Sequence, residues 1–240
     1  MNISIYIMSD IHGMYDKYIT MLKEINFNDK DELYILGDIF DRGDKPIEIL
    51  EHIVKHKNIH LLMGNHEDMF IEAYENDFRD LQLWFMNGGA NTYYALCDKG
   101  NKYMEEAYKY IKKLPLHYTL NYGEFSYLLC HAGVNVPKRN HGDYAPDLVD
   151  IMEQNCEDDF LWSRIHTETY TVLEDINIIC GHTPTQTIKT VDPITGALSY
   201  SEPKIVQKGS FIYIDCGACF DGGRLACMEL KEKGYKTYYV

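Results

Sequence analysis

Six short apolar runs, each closing on a polar or glycine-rich cluster, constrain this chain more than any other feature. They are ISIYIM at 3–8, ELYIL at 32–36, IHLLM at 59–63, FSYLLC at 125–130, INIIC at 176–180 and FIYI at 211–214. Runs this short, rich in Ile, Leu, Tyr and Val, read as strands buried on both faces. Directly after them come Ser9-Asp10-Ile11-His12-Gly13, Gly37-Asp38, Gly64-Asn65-His66-Glu67, His131-Ala132-Gly133, Gly181-His182-Thr183 and Asp215-Cys216-Gly217. Every cluster carries a potential metal ligand or a glycine.

Helical patterns lie between the early runs, from Tyr15 to Ile25, Lys45 to Lys55 and Glu67 to Asp80. Repetition of strand, polar turn and helix predicts an α/β fold, with functional groups gathered at the carboxyl ends of the strands. The later chain is richer in strand signals, with LACMEL near 225–230 and YKTYYV at the end. A second, more antiparallel sheet stacked on the first is therefore expected, giving a central β-sandwich of two mixed sheets flanked by helices. No internal repeat, low-complexity segment or linker divides residues 1–240, which read as one domain. The polar, proline-punctuated stretch 134–159 reads as a surface excursion with a short helix. Residues 185–210, with Asp192-Pro193-Ile194-Thr195-Gly196 at their centre, read as a hairpin.

Composition removes several classes of function. A formal charge of −14 disfavours loose binding to nucleic acid, which relies on a basic surface. No apolar stretch approaches the roughly 20 residues of a membrane helix, and the N-terminus MNISIYIMSD lacks the basic start of a signal peptide. Seven cysteines without a CxxC pair suggest neither a disulfide framework nor a thiolate zinc site. The expectation is a cytoplasmic protein that attracts any anionic substrate locally, by metals or arginines.

The strand-end clusters suit a site with two cations roughly 3.5–4 Å apart, spanned by a shared carboxylate and completed by imidazoles and neutral oxygens. Asp10 and His12 alternate on an extended segment that can curl around one ion. Asp38 ends the neighbouring strand and can bridge, while Asn65, His131 and His182 can hold the second ion. Two divalent cations outweigh two aspartates and a bridging hydroxide by about one positive charge, which favours a phosphate dianion. Nitrogen and oxygen ligands without thiolate suit Mn, Fe, Co, Ni or Zn.

The strings SDIHG, GDIFDRG, GNHE, HAG and GHT, in this order and at these intervals, resemble the PPP-type metallophosphoesterases with the calcineurin-like fold. That family includes serine/threonine protein phosphatases and symmetrical diadenosine tetraphosphatases. WFMNGGA at 84–90, LWSR at 161–164 and YIDCGA at 213–218 look most like its phage-lambda-type branch. The resemblance implies that Asp10, His12 and Asp38 hold one metal, and Asp38, Asn65, His131 and His182 the other. It places His66 as the general acid that protonates the leaving oxygen, Asp41 as its orienting carboxylate, and Arg42 and Arg164 on the substrate phosphate. Manganese is the first choice of metal.

These roles accord with chemistry, since histidine is suited to giving a proton near neutrality and the arginine fork matches phosphate oxygens. The implied activity is hydrolysis of phosphate monoesters by metal-activated hydroxide, on phosphoproteins or phosphorylated small molecules. Hydrolysis of dinucleoside polyphosphates is the alternative, and a non-catalytic binding protein a third reading that intact His66, Asp41 and arginines disfavour. Ser9 replaces a frequent glycine and Cys216 a frequent threonine, without removing a ligand. Asp215 reads as a support behind the site. His52, His56, His60, His117, His141 and His166 read as surface or satisfied core residues, and Tyr93-Tyr94 as core and sheet packing.

Overall fold

The computed structural model describes residues 3–76, 78–136, 146–164, 167, 170–191 and 198–240. In chain order the first half carries β1 (Ile5–Met8), α1 (Tyr15–Glu24), β2 (Glu32–Ile35), α2 (Pro46–Lys55), β3 (Ile59–Leu61), α3 (Asn65–Glu75), α4 (Phe78–Met86), α5 (Ala90–Lys99) and α6 (Asn101–Ile111). The second half carries β4 (His117–Tyr122), β5 (Phe125–Cys130), α7 (Leu148–Gln154), α8 (Glu157–Trp162), β6 (Ile176–Cys180), β7 (Lys189–Val191), β8 (Leu198–Tyr200), β9 (Val206–Lys208), β10 (Phe211–Tyr213), β11 (Ala226–Leu230) and β12 (Tyr235–Tyr239). All six apolar runs are strands.

Two five-stranded mixed sheets result, ordered β12-β11-β1-β2-β3 and β4-β5-β6-β10-β9. Strands β1, β2 and β3 run parallel in the first sheet, and β5, β6 and β10 run parallel in the second. Antiparallel strands occupy the remaining places. Period-two alternation along the strands explains why the sheets stack. Ile7, Leu36 and Leu62 of the first sheet face Leu129, Ile179 and Ile212 of the second in one buried cluster. Their neighbours point the other way: Met8, Ile35 and Leu61 pack on the helices of the first half, and Leu128, Ile178 and Phe211 pack near Ile151 and Phe160. Each such side chain, fully buried, contributes about 1.5–3 kcal/mol of transfer free energy, so β1, β2, β3, β5, β6 and β10 are held from both faces.

Where structure and sequence reading differ, the reasons are local. LACMEL and YKTYYV do not build the second sheet; they complete the first, with β11 antiparallel to β1. All five residues of β11 are buried, which demands an interior place in a sheet, and β12 takes the half-buried edge. The pattern from Glu67 to Asp80 is two helices, because α3 stops at Asn76, whose backbone (φ −107°, ψ −145°) leaves the helix. Asparagine and aspartate compete with helical hydrogen bonding and favour such ends. Tyr93 and Tyr94 stand on α5 and not in a sheet, and only Tyr93 packs against the core, Tyr94 being exposed.

The stretch 134–159 holds one short helix, α7, as expected, and the start of a second, α8; 137–145, including His141, lies outside the described residues. The turn at 192–196 also lies outside them, while β7 and β8 on either side pair antiparallel as a hairpin requires. No helix among the described residues is long and apolar enough to cross a membrane.

Candidate active site

The carboxyl ends of β1, β2, β3, β5, β6 and β10 meet along one edge of the sandwich, and the polar clusters that follow them form a single buried site. Parallel pairing of β1 with β2 continues past the strands: His12 N–H donates to the Asp38 carbonyl at 2.9 Å and Gly13 N–H to the Ile39 carbonyl at 2.9 Å. Eight non-glycine residues have positive φ among the described residues, and six of them are Asp10, His12, Asp38, Asp41, Arg42 and His182. Such backbone is unfavourable for ordinary side chains and persists only where surroundings enforce it. Here it turns Asp10 and His12 inward through tight left-handed turns, where the sequence suggested an extended segment. The second sheet is pressed close at Gly181, where a Cβ would lie 2.2 Å from Asp10 Oδ2.

Hydrogen bonds fix each ring. His12 Nδ1 faces the Phe40 carbonyl at 2.8 Å and His131 Nδ1 faces the Leu36 carbonyl at 2.7 Å. A carbonyl only accepts, so both rings carry hydrogen on Nδ1 and present an Nε2 lone pair to the site. Burial drives both imidazoles toward the neutral form, with His66 and Arg42 adding to the effect at His12. His131 Nε2 then lies 2.8 Å from Asn65 Oδ1, and His182 Nδ1 lies 2.9 Å from the same oxygen.

Asp38 sits among these rings, with Oδ2 3.5 Å from His12 Nε2 and Oδ1 3.5 Å from His131 Nε2. Burial, then Asp10 and Glu67, push its carboxyl well above the usual range. Buried acceptors without donors cost roughly 1–3 kcal/mol each, and cations aimed at by these lone pairs offset that cost. The donor set fits a metal: His12, Asp38 and His66 form one group with ligand atoms mutually within 4.8 Å, and Asp38, His131 and His182 form another. Asp38 belongs to both. Asp10, expected as a ligand beside His12, has Oδ1 3.9 Å from His12 Nε2, while its Oδ2 accepts from the His182 N–H and from Ser9.

His66 and Asp41 form a dyad, Nδ1 to Oδ2 at 2.7 Å. Burial pushes Asp41 up to about 7, and burial followed by Arg42 pushes His66 down to about 2. The Asp41 side-chain contacts supply proton donors, from Thr92 at 2.6 Å, Trp84 at 2.7 Å and the His66 ring, which suits a carboxylate that orients that ring. Arg42 spans the two rims of the site, its guanidinium 2.8 Å from His12 Nε2 and 3.0 Å from His66 Nε2. Its cationic group meets the same lone pairs that a metal would seek. Arg164 bonds Thr183 Oγ1 at 3.1 Å, in the cluster that follows β6.

Over residues 3–216 the sequence matches the calcineurin-like phosphoesterase family. The chain belongs to this family. The phosphoesterase is accordingly a metal-dependent hydrolase of phosphoric esters. It is 31% identical to serine/threonine-protein phosphatase 2 of Salmonella typhimurium over 67% of this chain and 67% of that one. The Escherichia coli protein of the same name is 25% identical over 95% of this chain and 93% of its own. A symmetrical bis(5'-nucleosyl)-tetraphosphatase of Buchnera aphidicola is 40% identical, over 30% of this chain and 27% of its own length. Among solved structures, a serine/threonine phosphatase from Saccharomyces cerevisiae superposes with a TM-score of 0.58 at 14% identity, covering 99% of this chain and 80% of that one. A metallophosphoesterase from Sphaerobacter thermophilus gives 0.57 at 17% identity, over 99% and 88%. These superpositions speak for the fold.

Asp10, His12, Asp38, Asp41, Arg42, Asn65, His66, His131 and His182 are thus brought together. Asp215 is buried nearby but bonds the Gly217 N–H at 2.8 Å and no imidazole among the described residues. The remaining described histidines are elsewhere: His52 against Tyr18, His56 on the His52 carbonyl, His60 on Glu32 and His117 against Phe160, while His166 lies outside the described residues.

Glu67 was not singled out by its sequence context. Its carboxylate accepts from the backbone N–H groups of Asp38, Ile39, Phe40 and Gly64 at 2.6–3.2 Å and so shapes the Asp38 turn. Burial nevertheless pushes it up to about 7. The carbonyls of Phe40 and Leu36, which orient two rings, carry no side-chain signal at all.

Proposed function

We propose that this phosphoesterase is a serine/threonine protein phosphatase that works with two divalent ions, Mn²⁺ foremost. Asp10, His12 and Asp38 would hold one ion and Asp38, Asn65, His131 and His182 the other. The observation that carries this reading is Asp38, which shares one ligand group with His12 and His66 of the first sheet's strand ends and a second with His131 and His182 of the other sheet's. Bound ions supply Lewis acidity and neutralise phosphate charge. The protein's own residues supply the rest.

Arg42, beside His12 and His66, and Arg164, beside Thr183, suit the grip on a phosphate dianion. His66, held by Asp41 at Nδ1, faces the site with Nε2. Once protonated there, a state that the Asp41 carboxylate favours, it would give that proton to the departing oxygen, since an alkoxide is a poor leaving group without one. Because the two sheets furnish one site together, residues 1–240 are read as one domain. A cytoplasmic setting accords with free cysteines at all seven positions.

Serine and threonine phosphoesters are favoured because sequence similarity to the protein phosphatases runs further along the chain than sequence similarity to the tetraphosphatases. A dinucleoside polyphosphate hydrolase is the second reading. Two exposed aromatic rings beside the site support it, Trp162 centred 6.1 Å from His182 and Phe220 centred 5.5 Å from the Arg42 guanidinium, since such rings stack on bases. Turnover of the Mn²⁺-loaded protein on phosphoserine and phosphothreonine peptides and on diadenosine tetraphosphate separates the two. Higher kcat/KM on the peptides is expected; the reverse order assigns the dinucleotide.

A further inference from the structure

The segment from Trp84 to Thr92 supplies no metal ligand, general acid or phosphate contact in the reading above, yet it touches two residues of the site, Asp41 and Arg42. Trp84 is buried, and its Nε1–H donates to Asp41 Oδ2 at 2.7 Å, the oxygen that also meets His66 Nδ1. Thr92, also buried, accepts the Asp41 backbone N–H at 2.8 Å and donates to Oδ1 at 2.6 Å. One donor therefore holds each oxygen of the carboxylate from behind, and two such points fix its plane. With the plane fixed, the direction in which Oδ2 meets the imidazole is fixed as well.

The indole itself has little freedom. It packs against Phe70 at 5.5 Å between ring centroids and closes against Gly89, where a Cβ would lie 2.4 Å from Nε1. The same segment accepts the Arg42 N–H on the Gly88 carbonyl at 3.1 Å. Gly88 has φ +100°, and a Cβ there would approach Arg42 Cγ to 2.9 Å, so the close approach needs glycine. Hydrophobic packing alone would accept phenylalanine at position 84. A buried N–H aimed at a carboxylate is a more specific requirement.

We propose that Trp84 is a positioning residue for proton delivery by His66, acting through Asp41 with Thr92 as the second anchor. This rests on His66 being the general acid, and His66→Asn, run in parallel, tests that premise separately. The variants are Trp84→Phe, which keeps a ring and removes the N–H, and Thr92→Val with Thr92→Ser as the conservative restoration. The full Mn²⁺-loaded chain is assayed on an alkyl phosphate and on an aryl phosphate with a low-pKa phenol, and bound metal is counted.

Trp84→Phe and Thr92→Val should each lower kcat on the alkyl ester roughly 10-fold, with KM and metal content unchanged and little loss on the aryl ester; Thr92→Ser should restore the alkyl rate. Equal losses on both esters, or no loss, overturn the proposal. If His66→Asn itself loses equally on both, the general-acid premise has failed. If His66→Asn depends on the leaving group while Trp84→Phe does not, only the positioning role has failed. Should Trp84→Phe not fold, the Thr92 pair decides by the same criterion.

Discussion

Asp38 and Asp41 stand three residues apart in one turn, both buried, both with positive φ, and they have opposite surroundings. The oxygens of Asp41 meet donors from Thr92, Trp84 and His66. Those of Asp38 take one backbone N–H, from His66 at 3.0 Å, and otherwise face the Nε2 atoms of His12, His131 and His66 at 3.5–3.9 Å. Protein donors satisfy the first carboxylate, whereas cations suit the second. Burial is the same for both, so burial does not decide function; the polarity of what each oxygen faces does.

The widest separation between the two should come from removing charge at each. Asp38→Asn, or chelation of the native protein, should lower turnover more than 10³-fold on any phosphate ester, an order-of-magnitude expectation for loss of metal activation. Chelated protein should recover with Mn²⁺, and full activity in metal-stripped protein contradicts the ligand role. Next in size is His66→Asn, expected to lose roughly 10²–10⁴-fold in kcat on an alkyl phosphate and much less on an activated aryl phosphate. Asp41→Asn should show the same leaving-group dependence in weaker form, because it orients the imidazole. A loss independent of leaving group would erase the distinction between this carboxylate and Asp38.

The smallest effects belong to the arginines. Arg42→Ala should lower kcat/KM on the order of 10-fold through both constants, and Arg164→Ala less, since Arg42 lies against two imidazoles of the site whereas Arg164 bonds the Thr183 hydroxyl. Metal content should not change in either. Unchanged kinetics would remove that arginine from phosphate binding.

Much of this arrangement was legible because strand ends and ligands coincide in sequence: each apolar run stops where its polar cluster starts, and six such runs became six strands. Long-range placement was less legible. Nothing in ACMEL says that β11 lies beside β1, since an apolar run fits the interior of either sheet. Helix α6 carries a signal that tyrosine-rich composition obscured: Tyr103, Met104, Ala107, Tyr108 and Ile111 share one face against the core. The hairpin turn after β4 was likewise present, with Gly123 at φ +61°. Glu67 and Trp84 act by bonding backbone or carboxylate groups remote in sequence, and the Phe40 and Leu36 carbonyls act without side chains. No local pattern announces such contacts.

Counting bound Mn²⁺ in the native protein, Asp38→Asn and Asp41→Asn by metal titration tests the central contrast most directly. The native protein and Asp41→Asn should each bind two ions per chain with similar affinity, and Asp38→Asn should lose both together, as expected of a shared ligand. Retention of one ion at native affinity in Asp38→Asn, or an equal loss in Asp41→Asn, would contradict the assignment of Asp38 as the bridge between two metals.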